Sequence, residues 1–322
     1  GRAGFRAVKG RALNRWFFFA HGGSVARFVL IWRKPRPRPP RLPSLHCALK
    51  TRVGDRLVKA LKHALVVMDK PKHDQIAFQR ALALGKALEA AGDGAPALSL
   101  KAFVYNQAVT DSSLDVRDQT TLKRTLTQSR KTWLAEQVKK AGAQGLRAKG
   151  DAVWTEALAR WTCDAVDSTA VDLVVKTVHK SKTLTHTPAD WTLLRQCQAP
   201  VLLCTRKRWA KAPKVLVALD LKRKDRNHAR LNKKAIEAGC KIASLFGGEV
   251  HLVYTITVSS VLSDLDIVDA RKVQKAAATQ AKEAMEALAA PFGIPKANMH
   301  LPLGKVGQGV NNTAAKLKVD LL

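Results

Sequence analysis

From residue 61 onward the chain alternates short apolar runs with long amphipathic stretches. The run His63–Met68 is β-rich and closes on Asp69. A helix is predicted over about 73–91, because Ile76, Phe78, Ala81, Leu82, Ala83 and Leu88 share one wide face. Gly92-Asp93-Gly94 stops it. A strand follows at 98–105, then a second helix over 114–141 with Leu122, Leu126, Trp133, Leu134 and Val138 facing inward. A short strand at 146–149 and a third helix over 152–167 come next, the helix striped by Val153, Ala157, Leu158 and Trp161. Val171–Val175 forms the fourth strand, Thr187-Pro188 opens a fourth helix, and 199–204 is the fifth strand.

The same order then returns. A strand at 215–219 closes on Asp220, followed by a helix over 227–246 that stops at Gly247-Gly248. A strand at 249–255, a helix over 268–290, a strand at 299–303 and a helix over 306–317 complete the echo up to Val319-Asp320-Leu321. Asp69 and Asp220 stand 151 positions apart, and the Val-Asp-Leu triplets at 171 and 319 stand 148 apart, so the register persists. Strands alternating with helices imply parallel pairing. The expected architecture is therefore α/β, with two tandem doubly wound parallel-sheet domains over 59–207 and 208–322. The second is expected to be truncated in its fourth strand, leaving an unpaired sheet edge that invites association. The two copies are expected to pack as an internal pseudo-dimer or to pair with a second chain as a homodimer. In such sheets ligands bind at the carboxyl ends of the strands, which is where Asp69 and Asp220 lie.

Charge separates the first 58 residues from this scheme. The 322-residue chain carries a formal charge of +31. Residues 1–62 hold 16 Lys and Arg against the single acid Asp55, and the remainder of the chain is still basic. A field of that size attracts polyanions without any base-reading surface. Residues 1–58 are read as a basic, Arg/Pro-rich arm, disordered or spurious. A nucleic-acid-binding or partner-binding arm and an organellar transit peptide are the competing readings. Its apolar stretches, around Trp16–Phe19 and Phe28–Trp32, are far shorter than the ~20 residues of a spanning helix, so no membrane association is expected. The cysteines, at 47, 163, 197, 204 and 240, form no C-x-x-C pair and are odd in number, which fits thiols in a reducing cytoplasm.

No catalytic constellation stands out. G-x-S-x-G, H-E-x-x-H and G-x-x-x-x-G-K-[ST] are all missing from the sequence. The protein is therefore read as non-enzymatic, with no metal site. The basic loop after the fourth strand places Lys176, His179, Lys180, Lys182 and His186 where an anion could be received, or where a surface loop is simply solvated. Gly304-Lys305-Val306-Gly307-Gln308-Gly309 is glycine-rich and precedes a helix, but its spacing is that of neither a dinucleotide fingerprint nor a P-loop.

The order of elements, the apolar strand ending in Asp, the segment TPADWTLLRQCQAPVLLC at 187–204 and PFGI at 291–294 resemble the universal stress protein family in its tandem form. The resemblance covers about residues 61–322. It implies a Rossmann-like, adenine nucleotide alpha hydrolase-like fold and a non-enzymatic role in stress resistance. Many family members bind adenine nucleotide, which makes ATP the cofactor to consider. On that pattern Asp69 and Asp220 would meet the ribose or base, and residues near Val104 and Val253 would back the adenine. The family's phosphate loop is glycine-rich, whereas residues 176–187 contain no glycine at all. A loop without Gly does not readily turn its N–H groups onto a phosphate. The sequence thus favours a cytoplasmic stress protein with a small, undefined ligand. An ATP-binding or ATP-hydrolysing member and a basic nucleic-acid-binding protein are the alternatives.

Overall fold

A computed structural model describes residues 28–31, 61–110, 115–179, 189–223, 225–257 and 270–322. Its first sheet contains β1 (Phe28–Ile31), β2 (His63–Met68), β3 (Ala97–Val104), β4 (Ala148–Trp154), β5 (Leu173–Thr177) and β6 (Val201–Cys204). Their order is β1-β6-β5-β2-β3-β4. Every pairing among β2 to β6 is parallel, whereas β1 adds antiparallel to β6. Four residues of the basic arm thus cover the β6 edge, which modifies the expectation of an unstructured arm there. The rest of the arm lies outside the described residues.

The helices of this unit are α1 (Ile76–Ala90), the single turn α2 (Gln107–Thr110), α3 (Val116–Gly142), α4 (Leu158–Ser168) and α5 (Ala189–Gln196). Alternation along the strands sorts the core into two layers. Ala64, Val66, Leu98 and Leu100 pack with Phe78, Leu82 and Leu134 of α1 and α3. Leu65, Val67, Val174 and Leu203 pack with Cys163, Val166, Leu193 and Leu194 of α4 and α5. Because both faces are covered, β2 and β5 are buried almost throughout.

Two sequence expectations are corrected here. The third strand is not confined to 146–149 but runs on to Trp154, and α4 starts only at Leu158. Gly150 is what lets α3 approach this strand, since a Cβ there would lie 3.0 Å from Leu134 Cβ. Cross-strand pairing of Lys101 Nζ with Asp151 Oδ2 at 3.0 Å then holds the extension in register. Leu122 and Leu126 are exposed rather than inward, because no residue of α3 before Leu134 is buried.

The second unit contains β7 (Lys214–Ala218), β8 (Glu249–Val253) and β9 (Met299–His300), in the order β7-β8-β9 and all parallel. Its helices are α6 (Arg226–Leu245), α7 (Ala270–Ala289) and α8 (Val306–Leu317). Val215 bridges to Leu321 as Ala64 pairs with Leu173 in the first unit, so the repeat holds at single-residue register. Asp172 and Asp320 show why. The Asp172 carboxylate accepts the His63 N–H at 3.0 Å, and the Asp320 carboxylate accepts the Lys214 N–H at 3.2 Å. In each unit the second aspartate of the repeat thereby fixes where the fourth strand starts against the first.

The two units share one hydrophobic core. Leu84, Leu88 and Leu202 of the first meet Ile242, Leu245 and Leu321 of the second around Trp209. Lys207 Nζ reaches the buried Asp320 Oδ1 at 3.1 Å, and Lys241 Nζ reaches Asp93 Oδ2 at 3.3 Å. The Arg80 guanidinium stacks over the Trp209 ring at 5.2 Å from its centroid. An internal pair is thus formed by apolar burial with charges at its margin.

Candidate functional site

Asp69 follows β2 directly and turns its carboxylate into the carboxyl end of the first sheet. Its N–H donates to Gln75 Oε1 at 3.1 Å, and the Gln75 amide donates in turn to the Lys70 and His73 carbonyls. One amide side chain thus folds the loop between β2 and α1. The Asp69 side chain is only 6 % exposed, and its Oδ1 lies 2.6 Å from Nε2 of His179, which is itself 52 % exposed. Asp69 Oδ2 is buried and meets no partner by hydrogen-bond geometry. Burial acts to raise the Asp69 carboxyl. Hydrogen bonding from His179 and the nearby Thr177 hydroxyl, with the charges of His179 and Lys176, outweighs it and holds the group below its ordinary value. The Thr177 hydroxyl contributes to that balance as a nearby dipole, and it accepts the Ala77 N–H at 3.1 Å.

Lys176 lies at the end of β5 but is buried. Its Nζ pairs with Asp190 Oδ1 at 2.7 Å and donates to the Thr177 carbonyl at 2.9 Å. Asp190 sits in the first turn of α5, inside the 187–204 segment singled out in the sequence. The lysine proposed from sequence as an anion receptor is therefore committed to a buried carboxylate. Lys180, Lys182 and His186 lie outside the described residues. Val104 is buried at the end of β3, and its carbonyl accepts the Thr155 N–H at 3.0 Å.

The second unit places Asp220 equivalently after β7 and encloses it differently. The Asp220 N–H donates to Asn232 Oδ1 at 3.1 Å, and Asn232 Nδ2 donates back to the Asp220 carbonyl at 2.8 Å. Asp220 Oδ1 accepts the Lys222 N–H at 3.1 Å, and Oδ2 faces His228 Nε2 at 3.9 Å. The other ring nitrogen of His228 lies 2.7 Å from Asp225 Oδ2, and Asp225 also caps α6 through the Asn227 and His228 N–H groups. Burial and the Asp220 charge push the Tyr254 phenol up. Val253 is fully buried against α8, and its carbonyl accepts the Leu219 N–H at 2.9 Å.

Of the six residues singled out by sequence, the fold brings Asp69, Lys176 and His179 near one another at the carboxyl end of the first sheet. It leaves Val104 and Val253 as packed walls and closes Asp220 within the second unit. Gln75, Asn232, His228 and the role of Asp190 were missed. A signal for two of them exists: the buried stripe of α6 runs His228, Asn232, Ile236, Gly239, Ala243 and so opens on two polar residues. The glycine-rich stretch 304–309 leads into α8, with Gly304 at φ 118°. Gly309 packs there because a Cβ would lie 2.4 Å from Thr255 Oγ1. Close packing of α8 therefore accounts for that glycine.

The site holds no phosphate cradle among the described residues. Asp69 presents negative charge, and the Lys176 ammonium is already neutralised. The described residues also contain no cluster of three or more His, Cys, Asp or Glu able to hold a metal ion, and no helix long and apolar enough to cross a membrane.

No family model matches the chain. Universal stress protein E of Escherichia coli K12 is 28% identical over 267 residues, covering 81% of this chain and 83% of that protein. A universal stress protein E homolog of Haemophilus influenzae is 28% identical over 176 residues, 53% of this chain and 57% of that one. Among solved structures, a functionally unknown protein of Pseudomonas aeruginosa PAO1 superposes with a TM-score of 0.60 at 20% identity, covering 81% of this chain and 80% of its own. A candidate universal stress protein of Pseudomonas aeruginosa UCBPP-PA14 superposes equally, with a TM-score of 0.60 at 20% identity over 81% of each chain. The chain is thus similar in sequence to universal stress protein E and shares its fold with the two Pseudomonas structures over about four fifths of its length.

Proposed function

We propose that the protein is a non-enzymatic stress-response factor of the cytoplasm whose first unit takes a small ligand at the Asp69 crevice. The observation that carries this reading is the mismatch in the Asp69–His179 pair: a nearly buried carboxylate is capped by a histidine that is half exposed. The second carboxylate oxygen still lacks a partner by hydrogen-bond geometry. Displacing one side chain opens the crevice, and a ligand that donates from a hydroxyl or amino group can satisfy both oxygens. Asp220 is bound into α6 by Asn232 and His228, so exchange is assigned to the first unit. The stress-response role follows from the similarity to universal stress protein E.

This reading sets neutral donors above triphosphates, because Asp69 would repel phosphate and Lys176 is already paired. Equilibrium dialysis of labelled adenosine and labelled ATP against the full chain tests it. Adenosine is expected to bind at least as tightly as ATP, and better to His179→Ala than to the natural chain. Saturable micromolar ATP binding with no adenosine binding would replace it with the nucleotide reading.

The formal charge of +31 supports a second property, weak polyanion binding through counterion release. Such binding is expected to vanish by ~0.2 M salt and to ignore base sequence. A sequence-selective complex that survives this salt would overturn that description.

A further inference from the structure

Cys163, Cys197, Cys204 and Cys240 fall among the described residues, all as free thiols, and the first two meet. Cys163 lies midway along α4 and Cys197 directly follows α5, and these helices pack against each other. Both are shut into the same core layer, Cys163 at 8 % and Cys197 at 3 % exposure. The Cys163 thiol donates a hydrogen bond to the Cys197 sulfur, and the Ala199 N–H donates a second. The backbone places Cys197 by continuing α5, its N–H donating to the Leu193 carbonyl at 3.0 Å. Apolar packing of a cysteine calls for neither bond to its sulfur.

Two donors on one sulfur favour its thiolate, the form that attacks. The Cys163 contact, with the Ala199 N–H, outweighs burial and the Asp167 charge and holds the Cys197 thiol below its ordinary value. Donating that same bond, with burial and the charges of Cys197, Asp167 and Asp164, pushes the Cys163 thiol up. One sulfur is thus prepared to attack, and a thiol beside it is placed to resolve the product. The other two described cysteines are set differently. Burial pushes the Cys204 thiol up to about 12, and its sulfur faces the Leu202 carbonyl at 3.9 Å. Burial pushes the Cys240 thiol up as well, although Cys240 is the least enclosed of these four. Sulfurs already in contact need only a small shift of α5 to reach the S–S bond length of about 2 Å.

We propose that Cys163 and Cys197 form a reversible oxidative-modification site, at which hydrogen peroxide joins them in a disulfide that ties α4 to the end of α5. The Cys197 sulfur forms an S–O bond to one peroxide oxygen as the O–O bond breaks and hydroxide leaves. The Cys163 sulfur then forms the S–S bond as that S–O bond breaks and a second hydroxide leaves. The protons given up by the two thiols turn both hydroxides into water, so two thiols are oxidised and one peroxide is reduced. The pair includes neither Asp69 nor His179, so its failure leaves the ligand reading untouched. The test treats the full chain with hydrogen peroxide for increasing times, then unfolds it, alkylates the remaining thiols and maps the peptides by mass spectrometry. Cys163 and Cys197 are expected to be lost together as one linked peptide pair, faster than Cys240, and to return with dithiothreitol. Exposure alone would give the opposite order, because Cys240 is less buried than either. Cys163→Ala is expected to stop at a sulfenic acid on Cys197, trapped by dimedone. The time course on the natural chain decides the matter if that variant does not fold. Oxidation of Cys240 ahead of the pair, independent loss of Cys163 and Cys197, or a disulfide from either to Cys47 or to a second chain overturns the proposal.

Discussion

His179 Nε2 lies 2.6 Å from Asp69 Oδ1 across 110 residues of chain, joining the carboxyl ends of β5 and β2. Asp69 is held below its unfolded value near 3.8, so it stabilises the fold above that value and loses its share as pH falls through the folded one. Replacing His179 with Ala is expected to raise the Asp69 carboxyl, followed by carboxyl-carbon NMR. The expected cost at neutral pH is about 1 kcal/mol, kept small because His179 is half exposed. The gap between variant and natural chain should narrow toward pH 3, and an unmoved Asp69 titration would show that the pair does not form.

Lys176 and Asp190 form an ion pair in which both side chains are below a tenth exposed. Removing one partner strands a buried charge, so Lys176→Met is expected to cost about 3–5 kcal/mol. The double variant Lys176→Met/Asp190→Leu should recover most of that loss, because a packed apolar pair avoids desolvating two ions. Urea unfolding of the three variants reads this directly, and a double variant no better than Lys176→Met would contradict it.

Gly85 on α1 and Gly239 on α6 are both packed helical glycines, and their surroundings differ. A Cβ at Gly239 would sit 2.6 Å from Val217 Cγ2, on a β-branched side chain with little freedom to move. A Cβ at Gly85 would meet the tip of Leu146 at 3.0 Å, which rotates more easily. Gly239→Ala is therefore expected to destabilise by about 1–3 kcal/mol. Gly85→Ala should stay within about 1 kcal/mol of neutral, helped by the better helix propensity of Ala. Thermal unfolding of the pair distinguishes them, and equal effects would mean that the sheet under α6 yields.

His63 and His300 are both lowered from the ordinary 6.5, each chiefly by burial. Lys149 adds to the lowering of His63 while the Ala170 carbonyl and Asp172 oppose it, and His251 and Lys316 add to that of His300. A histidine with a lowered folded value contributes fully above pH 6.5. Its contribution declines as pH falls from there toward the folded value, where the unfolded chain binds the proton first. The urea midpoint is expected to drop between pH 7.5 and 5.5. A His63→Gln/His300→Gln variant should drop less, by up to about 1.4 kcal/mol for each unit of lowering removed. An identical drop in both chains would assign the acid sensitivity to other groups.

Much of the fold could be read from period alone. Strands buried on both faces, such as Leu173–Thr177, are apolar runs too short to be helices, and glycines mark the turns that end α1 and α6. Period failed at 152–157, where Val153 and Ala157 fit a helical stripe, while pairing with β3 kept the chain extended to Trp154 and α4 starts only at Leu158. Leu122 and Leu126 also fit an inward stripe, but the buried part of α3 begins only at Leu134.

The sequence by itself determined the two copies, their order of elements and the two aspartates that end their first strands, because these depend on residue types at short, regular spacing. Only the tertiary structure decided what those aspartates do. His179 reaches Asp69 from 110 residues away and Lys176 turns to Asp190, while Asn232 and His228 fold back from α6 onto Asp220. These partnerships depend on which strand ends lie side by side and which side chains are shut away from water, and neither is written in the spacing of residues along one chain.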